Sequence, residues 1–503
     1  GNNPARSSRF ARMRASPLPS KPSILEKVPV IREIFGLTCS GRWPGKVRER
    51  IIIIDGLRVV AVLTVLFFHW MTMTIAPDSM DSKFPYGKDT YQRAFFQSPL
   101  IRVLRLGERA VDIFQVLSGF LFARSVYRRK YGGYWTSLIS RYLRLLPPHI
   151  AAFALEAILN PYNMRSSCFK ALPYHLLMIQ NLHPAGLASL MFSWTTAVDM
   201  QFHLLVTPVL RRYLIGQRVD RGGKAAAFAF FLNDGRGLVI FFFVGIVIRA
   251  YSAFYLEKPI WYANSLVTHL SPYIAGIWAC MAIEGGEYVL KHELPLQDLS
   301  STLKKESRVT QQQQQQQSRF HPTVVAIMFH RLSLAFAALV VLGTYALQPW
   351  TPSRGQPWGK ALEEDEPILT KIIEVLVPPM FSFAIARTIV FWVGQQRDLS
   401  PQSTGQRAMT ALLTSKTIRV LAELSYTTFL IQSVTLPILL APEGWGLPPV
   451  TNWIFPPTDS ILMAHVYFSV SCGILLMFTF VSSFVLHGLV EVPARAGRRF
   501  LMR

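Results

Sequence analysis

Charge is scarce in this sequence, and acidic residues are scarcer than basic ones. Only 16% of the 503 residues are charged, against about 25% in an average soluble domain. The 29 acidic residues stand against 52 lysines and arginines, which gives a formal net charge of +23. The four cysteines lie far apart and show no CxxC spacing, so neither a zinc site nor a disulfide framework is indicated. No Asn-x-Ser/Thr acceptor occurs, so nothing points to a glycosylated ectodomain.

Long apolar runs, in contrast, recur along the chain. The mean hydropathy is +0.29 and 51% of the residues are hydrophobic. The runs at 51–73, 324–347 and 461–485 each reach or exceed the roughly 20 residues that a helix needs to cross a hydrocarbon core of about 30 Å. One such run could be a buried helix of a soluble protein, but several could not. We therefore expect an all-α polytopic membrane protein with about ten transmembrane helices, at 51–75, 110–123, 145–159, 191–210, 237–254, 268–284, 323–347, 372–394, 420–441 and 461–490.

Basic residues alternate across the connections between these spans. The two tails and every second loop carry 35 of the 52 lysines and arginines, whereas the intervening loops carry 12. Because cytosolic loops hold the basic excess, this alternation predicts that both termini are cytosolic. Membrane topology therefore accounts for the high net charge, and nucleic acid is not expected as a partner.

Three regions follow from this pattern. Residues 1–50 read as a basic, disordered cytosolic tail, with an organelle transit segment as the alternative. Residues 51–495 form the transmembrane domain, interrupted at 285–322 by a low-complexity insertion that contains Gln311–Gln317. Residues 496–503 are a short basic C-terminal tail.

Ionisable residues inside the spans are the candidates for chemistry, because they are costly in hydrocarbon. The first span contains Arg58 and His69. Eleven residues separate them, which places them on one helix face about 16 Å apart along the axis. A lone histidine in a membrane helix is often a hydrogen-bonded packing residue, but the arginine on the same face favours a functional role.

Three further polar stretches stand out. The stretch GERAVDIFQVLSGF contains Asp112 and Ser118. In SRYLRLLPP, Arg141 and Arg144 are three residues apart and face the same way at the expected cytosolic end of a span. They could hold an anion, or they could simply reach the lipid phosphates.

The stretch FSWTTAVDMQFHLL places several polar side chains in one apolar segment: Trp194, Asp199, Gln201 and His203. A carboxylate inside a span needs a partner, and an arginine or a histidine is the natural one.

Six motifs in this order resemble the acyltransferase-3 family of membrane acyltransferases. They are DGLR with a following His (Asp55 to Arg58, then His69), Val111–Phe120, RxxRLxP (Arg141, Arg144 and Pro147), Trp194–Phe202, Ser271–Ile277 and Leu424–Leu430. The VDMQF and SPYxxGI forms are more similar to the eukaryotic branch that contains the nose-resistant-to-fluoxetine proteins than to the bacterial O-acetyltransferases.

The resemblance implies transfer of an acyl group, usually acetyl, from cytosolic acyl-CoA to a hydroxyl group. It implies that His69 is catalytic and that Asp199 takes the place of the family's acidic residue. It assigns Arg58, Arg141 and Arg144 to the acyl donor. The remaining polar motif residues are expected to support the site: Asp55, Asp112, Ser118, Trp194 and Gln201.

The expected partners are the lipid bilayer, acyl-CoA (acetyl-CoA first) as a co-substrate, and an acceptor that is a lipid, a glycan or a small molecule. No bound cofactor and no metal are expected. Elementary chemistry agrees with this assignment, because arginine suits the phosphates of coenzyme A and a neutral histidine can take a proton from an attacking hydroxyl.

One departure from the family pattern leaves other functions open. The family's late LSYxxYLxH motif ends in a histidine, whereas this chain has Gln432, which cannot do acid/base work. A transporter or lipid-handling protein of the same fold is therefore the main alternative. A receptor or scaffold is the second, although no long ectodomain supports it.

Overall fold

The structure is a computed structural model that describes residues 51–75, 107–128, 133–159, 162–183, 189–219, 236–255, 265–292, 368–397, 408, 411–413, 415–440 and 461–501. Throughout these residues the secondary structure is helical and no strand occurs, which confirms the all-α prediction. The predicted N-terminal tail 1–50, the predicted span at 323–347 and Gln311–Gln317 lie outside the described residues.

The described part of the chain forms α-helices that we number α1 to α12. Their bounds are α1 Ile52–Ile75, α2 Gly107–Tyr127, α3 Tyr134–Leu159, α4 Tyr162–Leu176, α5 Trp194–Gln201, α6 Thr207–Val219, α7 Arg236–Tyr255, α8 Leu270–His292, α9 Ile368–Arg397, α10 Lys416–Leu440, α11 Ile461–Leu486 and α12 Val492–Leu501. Two π-helical segments, Phe202–Val206 and His487–Glu491, join α5 to α6 and α11 to α12.

Five stretches are long and apolar enough to cross a membrane: Ile53–Trp70, Arg109–Tyr127, Tyr134–Leu159, Val375–Val393 and Phe468–Arg498. They coincide with five of the ten predicted spans. Shorter apolar stretches at Phe242–Tyr251 and Leu270–Glu284 fall within two more. The protein is therefore an integral membrane protein, and the full count of ten stays a prediction.

The boundaries of two predicted spans differ from the observed helices. Helix α3 begins at Tyr134, 11 residues before the predicted start at 145, so Arg141 and Arg144 lie within the helix rather than in the preceding loop. The predicted span 191–210 is a 3₁₀ turn at Met191–Ser193 followed by a helix that continues to Val219 through a π segment. Apolarity alone misplaces such ends, because polar residues with partners inside the protein extend a helix without adding hydropathy.

Helices α2 and α8 pack with their backbones in close contact. A Cβ atom at Gly119 would collide with the backbone carbonyl of Tyr273, and one at Gly276 would collide with the carbonyl of Val116. Small residues allow such close approach between membrane helices, where dispersion contacts replace the hydrophobic effect as the driving force. This contact fixes Ser118, next to Gly119, opposite Tyr273.

Helix α11 presents a different surface. Its apolar side chains at Leu462, Val466, Val470, Met477 and Val481 are all exposed. Exposed apolar residues at this spacing form one continuous face, as expected of a helix that contacts lipid. The face of the same helix that carries Leu475, Thr479 and Ser483 is buried.

Candidate active site

A cavity of about 410 Å³ lies between α1, α2, α3, α5, α8, α10 and α12. Its volume is at the small end of the range for ligand-binding pockets. Five arginines and three carboxylates line it: Arg58, Arg141, Arg144, Arg495, Arg498, Asp199, Glu423 and Glu491. The arginine excess makes the cavity suited to an anionic group. All three arginines that the sequence assigns to the acyl donor are present in its wall.

Asp199 is the centre of a hydrogen-bond network on one side of the cavity. Arg141 donates to Asp199 Oδ2 from Nε at 2.8 Å and from Nη2 at 2.5 Å. The Ser118 hydroxyl donates to Asp199 Oδ1 at 2.6 Å and accepts from Arg141 Nη2 at 3.0 Å. Arg141 is thus the partner that the carboxylate was expected to need, and it is tied to protein groups rather than to lipid phosphate.

His203 lies beside this network. Its Nε2 is 3.9 Å from Asp199 Oδ1 and 3.4 Å from Ser118 Oγ. The residue belongs to the π segment after α5, which turns the histidine back toward Asp199 four residues earlier. Since Ser118 already gives its proton to Asp199, this arrangement does not have the hydrogen-bond order of a nucleophilic serine, which donates to the histidine.

Arg144 differs from Arg141 in its contacts. It is exposed to the cavity, and it forms no hydrogen bond and no ion pair with that part of the chain. Arg58 Nη1 lies 3.7 Å from Asp55 Oδ1, one helical turn away. The two residues therefore supply positive charge that Asp199 does not neutralise.

The far wall of the cavity comes from the C-terminal end of the chain. Arg495 donates to Glu491 from Nε at 3.1 Å and from Nη2 at 2.5 Å, and to Glu423 from Nη1 at 3.2 Å. The buried His487 ring nitrogen Nδ1 lies 2.8 Å from the other oxygen of Glu491. Arg498 donates to the carbonyl of Ser140 at 3.2 Å, which links α12 to α3.

His69 does not line the cavity. Its ring is buried and stacks on Phe192, with ring centroids 3.6 Å apart and planes inclined by 12°. Gln432 on α10 interacts with the His69 ring, although neither of its carboxamide atoms makes a hydrogen bond of standard geometry. The glutamine that replaces the family's late histidine thus lies next to the first-helix histidine.

Three of the elements that line the cavity also lead to His69. Phe429, Thr195 and Arg58 lie in the wall, on α10, α5 and α1. Gln432 is three residues beyond Phe429 and Phe192 is three residues before Thr195, a spacing of about one helical turn. Helix α1, helix α10 and the segment before α5 thus connect the cavity wall to the surroundings of His69.

The other predicted supporting residues fall into two places. Asp112 is buried, with Oδ1 3.6 Å from Nδ1 of His269, and the Trp194 ring is 5.0 Å from the His269 ring. Gln201 exchanges hydrogen bonds with Asn181, at 2.7 and 3.3 Å. Neither group lines the cavity. Asp55 lies within one helical turn of Arg58 on α1, with 3.7 Å between Oδ1 and Nη1. Gln201 connects the end of α5 to the segment after α4 through Asn181.

A comparison with known protein families shows which family the chain belongs to. The acyltransferase-3 family model, described as an acyltransferase domain, matches residues 51–486. The chain belongs to the acyltransferase-3 family. No curated protein and no solved structure matches it significantly. Membership shows a membrane acyltransferase in general terms, while the donor, the acyl group and the acceptor are separate questions.

The family match ends before the last helix. Glu491, Arg495 and Arg498 follow residue 486, yet all three line the cavity. The sequence analysis assigned these three residues no role. The sequence does contain a sign of their importance, because ionisable residues at the end of an apolar membrane helix are energetically costly unless they are paired. Their partner Glu423 lies 72 residues from Arg495, too far along the chain for spacing to reveal it.

Proposed function

We propose that this acyltransferase-3 protein transfers an acyl group, acetyl as the first candidate, from a cytosolic acyl-CoA to a hydroxyl group of an acceptor at or across the membrane. The observation that carries the proposal is the cavity in which Arg144 has no ion-pair partner among the described residues. The wall of that cavity continues along α1 toward His69.

The basic end of the cavity would take the phosphates of the donor. Arginine binds phosphate through charge-assisted hydrogen bonds that are often bidentate. Arg144 lines the cavity without an ion pair among the described residues, and Arg58 lines the same cavity. Arg141 has a different role in this proposal: it holds Asp199 and Ser118 in place and thereby shapes the wall beside the donor.

His69 would act as the general base. In the reaction it takes the proton of the acceptor hydroxyl while the hydroxyl oxygen attacks the thioester carbonyl carbon. The new carbon–oxygen bond forms, the carbon–sulfur bond breaks, and the departing thiolate receives a proton from the histidine. The Phe192 ring stacks on one face of the His69 ring and would hold its orientation during this step. Asp199 lies at the other end of the cavity and would act on the donor side.

The topology belongs to the same proposal. Ten spans with both termini in the cytosol place the start of α1, and with it Arg58, on the side where acyl-CoA is made. The basic-residue alternation supports this orientation. The VDMQF and SPYxxGI motifs support placement in the eukaryotic, nose-resistant-to-fluoxetine-like branch. Tags at the two termini that prove accessible on opposite sides of the membrane would contradict the even count.

The decisive experiment uses membranes that contain the wild-type chain, incubated with acetyl-CoA labelled in the acetyl group. The lipid, glycan and small-molecule pools are then separated, and we expect label in one of them. Membranes with His69→Gln should leave every pool unlabelled. Donor binding without label in any pool would favour the alternative, a transporter or lipid-handling protein of the same fold.

A further inference from the structure

Two buried side chains in the cavity wall lack hydrogen-bond partners. Gln115 on α2 is 3% exposed, and neither its Nε2 nor its Oε1 makes a hydrogen bond. Tyr273 on α8 is fully buried, and its hydroxyl makes none either. Both residues line the cavity. Buried polar groups are almost always paired, so two of them beside one cavity require an explanation.

The packing around Tyr273 rules out a simple rearrangement of its ring. The ring stacks on Phe202 with centroids 4.0 Å apart and planes inclined by 12°. The Tyr273 backbone is pressed against Gly119. The hydroxyl is therefore fixed by its surroundings, although it receives no hydrogen bond from them.

The position of Gln115 along the cavity follows from the packing of α2 on α1. The first residue of α2, Gly107, packs against Phe68 and Thr64 on α1, so the start of α2 is at the His69 end of α1. Gln115 precedes Ser118 by about one turn and therefore lies nearer that end than the Ser118–Asp199 network does. Tyr273 lies opposite Ser118, with its backbone against Gly119. The neutral pair therefore extends from the Ser118–Asp199 network toward the His69 end of α1.

We propose that Gln115 and Tyr273 form a subsite for the amide-bearing arm of the donor, the pantetheine part of acyl-CoA. This inference rests on the proposed function. A carboxamide offers one acceptor oxygen and a donor NH₂ group, the complement of a peptide-type amide. A tyrosine hydroxyl donates to a carbonyl oxygen. Arginines at one end and this neutral pair further in match a ligand with phosphates at one end and amides along its chain.

The chemistry of the pair argues against another phosphate subsite. Phosphate oxygens accept hydrogen bonds and cannot satisfy the acceptor Oε1 of Gln115. An acyl chain alone would leave the Oε1 of Gln115 unsatisfied, because its one carbonyl group accepts hydrogen bonds and it carries no donor. An amide-bearing chain satisfies the carboxamide in both directions.

The test compares two ligands on the purified full-length protein. One is coenzyme A, and the other is adenosine 3′,5′-bisphosphate, which has the nucleotide end without the pantetheine arm. Both are measured by displacement of labelled acetyl-CoA. The variants are Gln115→Met, which keeps the length of the side chain, and Tyr273→Phe, which removes only the hydroxyl.

We expect each variant to lower the affinity for coenzyme A by about three- to ten-fold, the size of one lost hydrogen bond. The affinity for the bisphosphate should stay within about two-fold. Tyr142→Phe is the matched control, because that hydroxyl donates to the carbonyl of Leu176 outside the cavity. It should leave both affinities unchanged.

Two results would contradict the proposed subsite. One is an unchanged affinity for coenzyme A in both variants, and the other is an equal decrease in affinity for coenzyme A and for the bisphosphate. Either would leave the donor assignment intact. If the wild-type protein bound neither ligand, the acyl-CoA assignment itself would fail, and the subsite with it. Should Gln115→Met fail to fold, Tyr273→Phe decides alone.

Discussion

Arg141 and Asp199, 58 residues apart in sequence, are joined by two hydrogen bonds of 2.8 and 2.5 Å inside the protein. The pair fastens α3 to α5, and the Ser118 hydroxyl adds α2 to the same junction. These three residues form part of the cavity wall. We therefore expect donor binding to require that their hydrogen bonds are intact.

Replacing one residue of the Arg141–Asp199 pair should therefore lower the free energy of unfolding more than replacing both. Arg141→Ala leaves the Asp199 carboxylate without its main donor, and we expect a loss of about 1–3 kcal/mol in unfolding free energy. The double variant Arg141→Ala, Asp199→Ala leaves no unpaired charge and should be the more stable of the two. Thermal unfolding in detergent measures both. Losses that simply add would show that the two side chains act independently.

Arg144 should behave differently from Arg141, because it has no partner to lose among the described residues. Charge-assisted hydrogen bonds contribute about 1.5–3 kcal/mol each, so Arg144→Ala should weaken acyl-CoA binding about ten-fold or more, with an unchanged unfolding temperature. Arg144→Lys should rescue binding only in part.

A matched control for this prediction is Arg212→Ala. Arg212 is an exposed arginine on α6 that does not line the cavity. Its loss should leave donor affinity as it was. If the two alanine variants bound acyl-CoA equally well, Arg144 would be a lipid-facing residue and not part of the donor site.

The close contact of α2 and α8 predicts opposite effects for two glycines. Gly276→Ala places a methyl group against the Val116 carbonyl, where neither backbone can give way, so we expect a loss of about 1–3 kcal/mol. Gly473→Ala on α11 meets no atom within 4 Å and should be neutral or stabilise the helix by about 0.5–1 kcal/mol. Equal unfolding temperatures for the two variants would contradict the packing.

The ion pairs at the end of the chain predict that α12 is part of the fold. Arg495→Ala leaves Glu491, which is only 2% exposed, with His487 alone. We expect a fall of about 1–3 kcal/mol in unfolding free energy. Arg498→Ala keeps that carboxylate paired and should cost less. A larger effect from Arg498 than from Arg495 would mean that the contact with Ser140 is the more important link.

Hydropathy predicted the bounds of helices that are almost entirely apolar and misplaced the start of α3, which carries charged residues into the cavity. The spans at 51–75 and 461–490 coincide with observed helices because nearly all of their residues are apolar. The start of α3 was placed too late, since Arg141 and Arg144 resemble loop residues until the cavity and Asp199 are known. The sequence around Arg141 does not reveal its partner, because Asp199 lies 58 residues further along the chain.

The candidate site shows the same division. The sequence analysis selected Arg58, Arg141, Arg144 and Asp199 because charged residues in or beside a membrane span are costly unless they have a function. All four line one cavity. The stacking of the Phe192 ring on His69 could not be predicted. Phe192 belongs to a 3₁₀ turn whose position depends on how α4 and α5 are connected.

The central claim is that catalysis depends on proton transfer by His69. Acid/base assistance is worth about 10²- to 10⁴-fold in rate. His69→Gln keeps a hydrogen-bonding side chain in the place beside Phe192 and removes the proton-transfer capacity. The direct measurement is the rate of acyl transfer from labelled acetyl-CoA by His69→Gln, alongside its acyl-CoA affinity. We predict that affinity stays near the wild-type value and transfer falls by at least about 10²-fold. Transfer at the wild-type rate would contradict the mechanism.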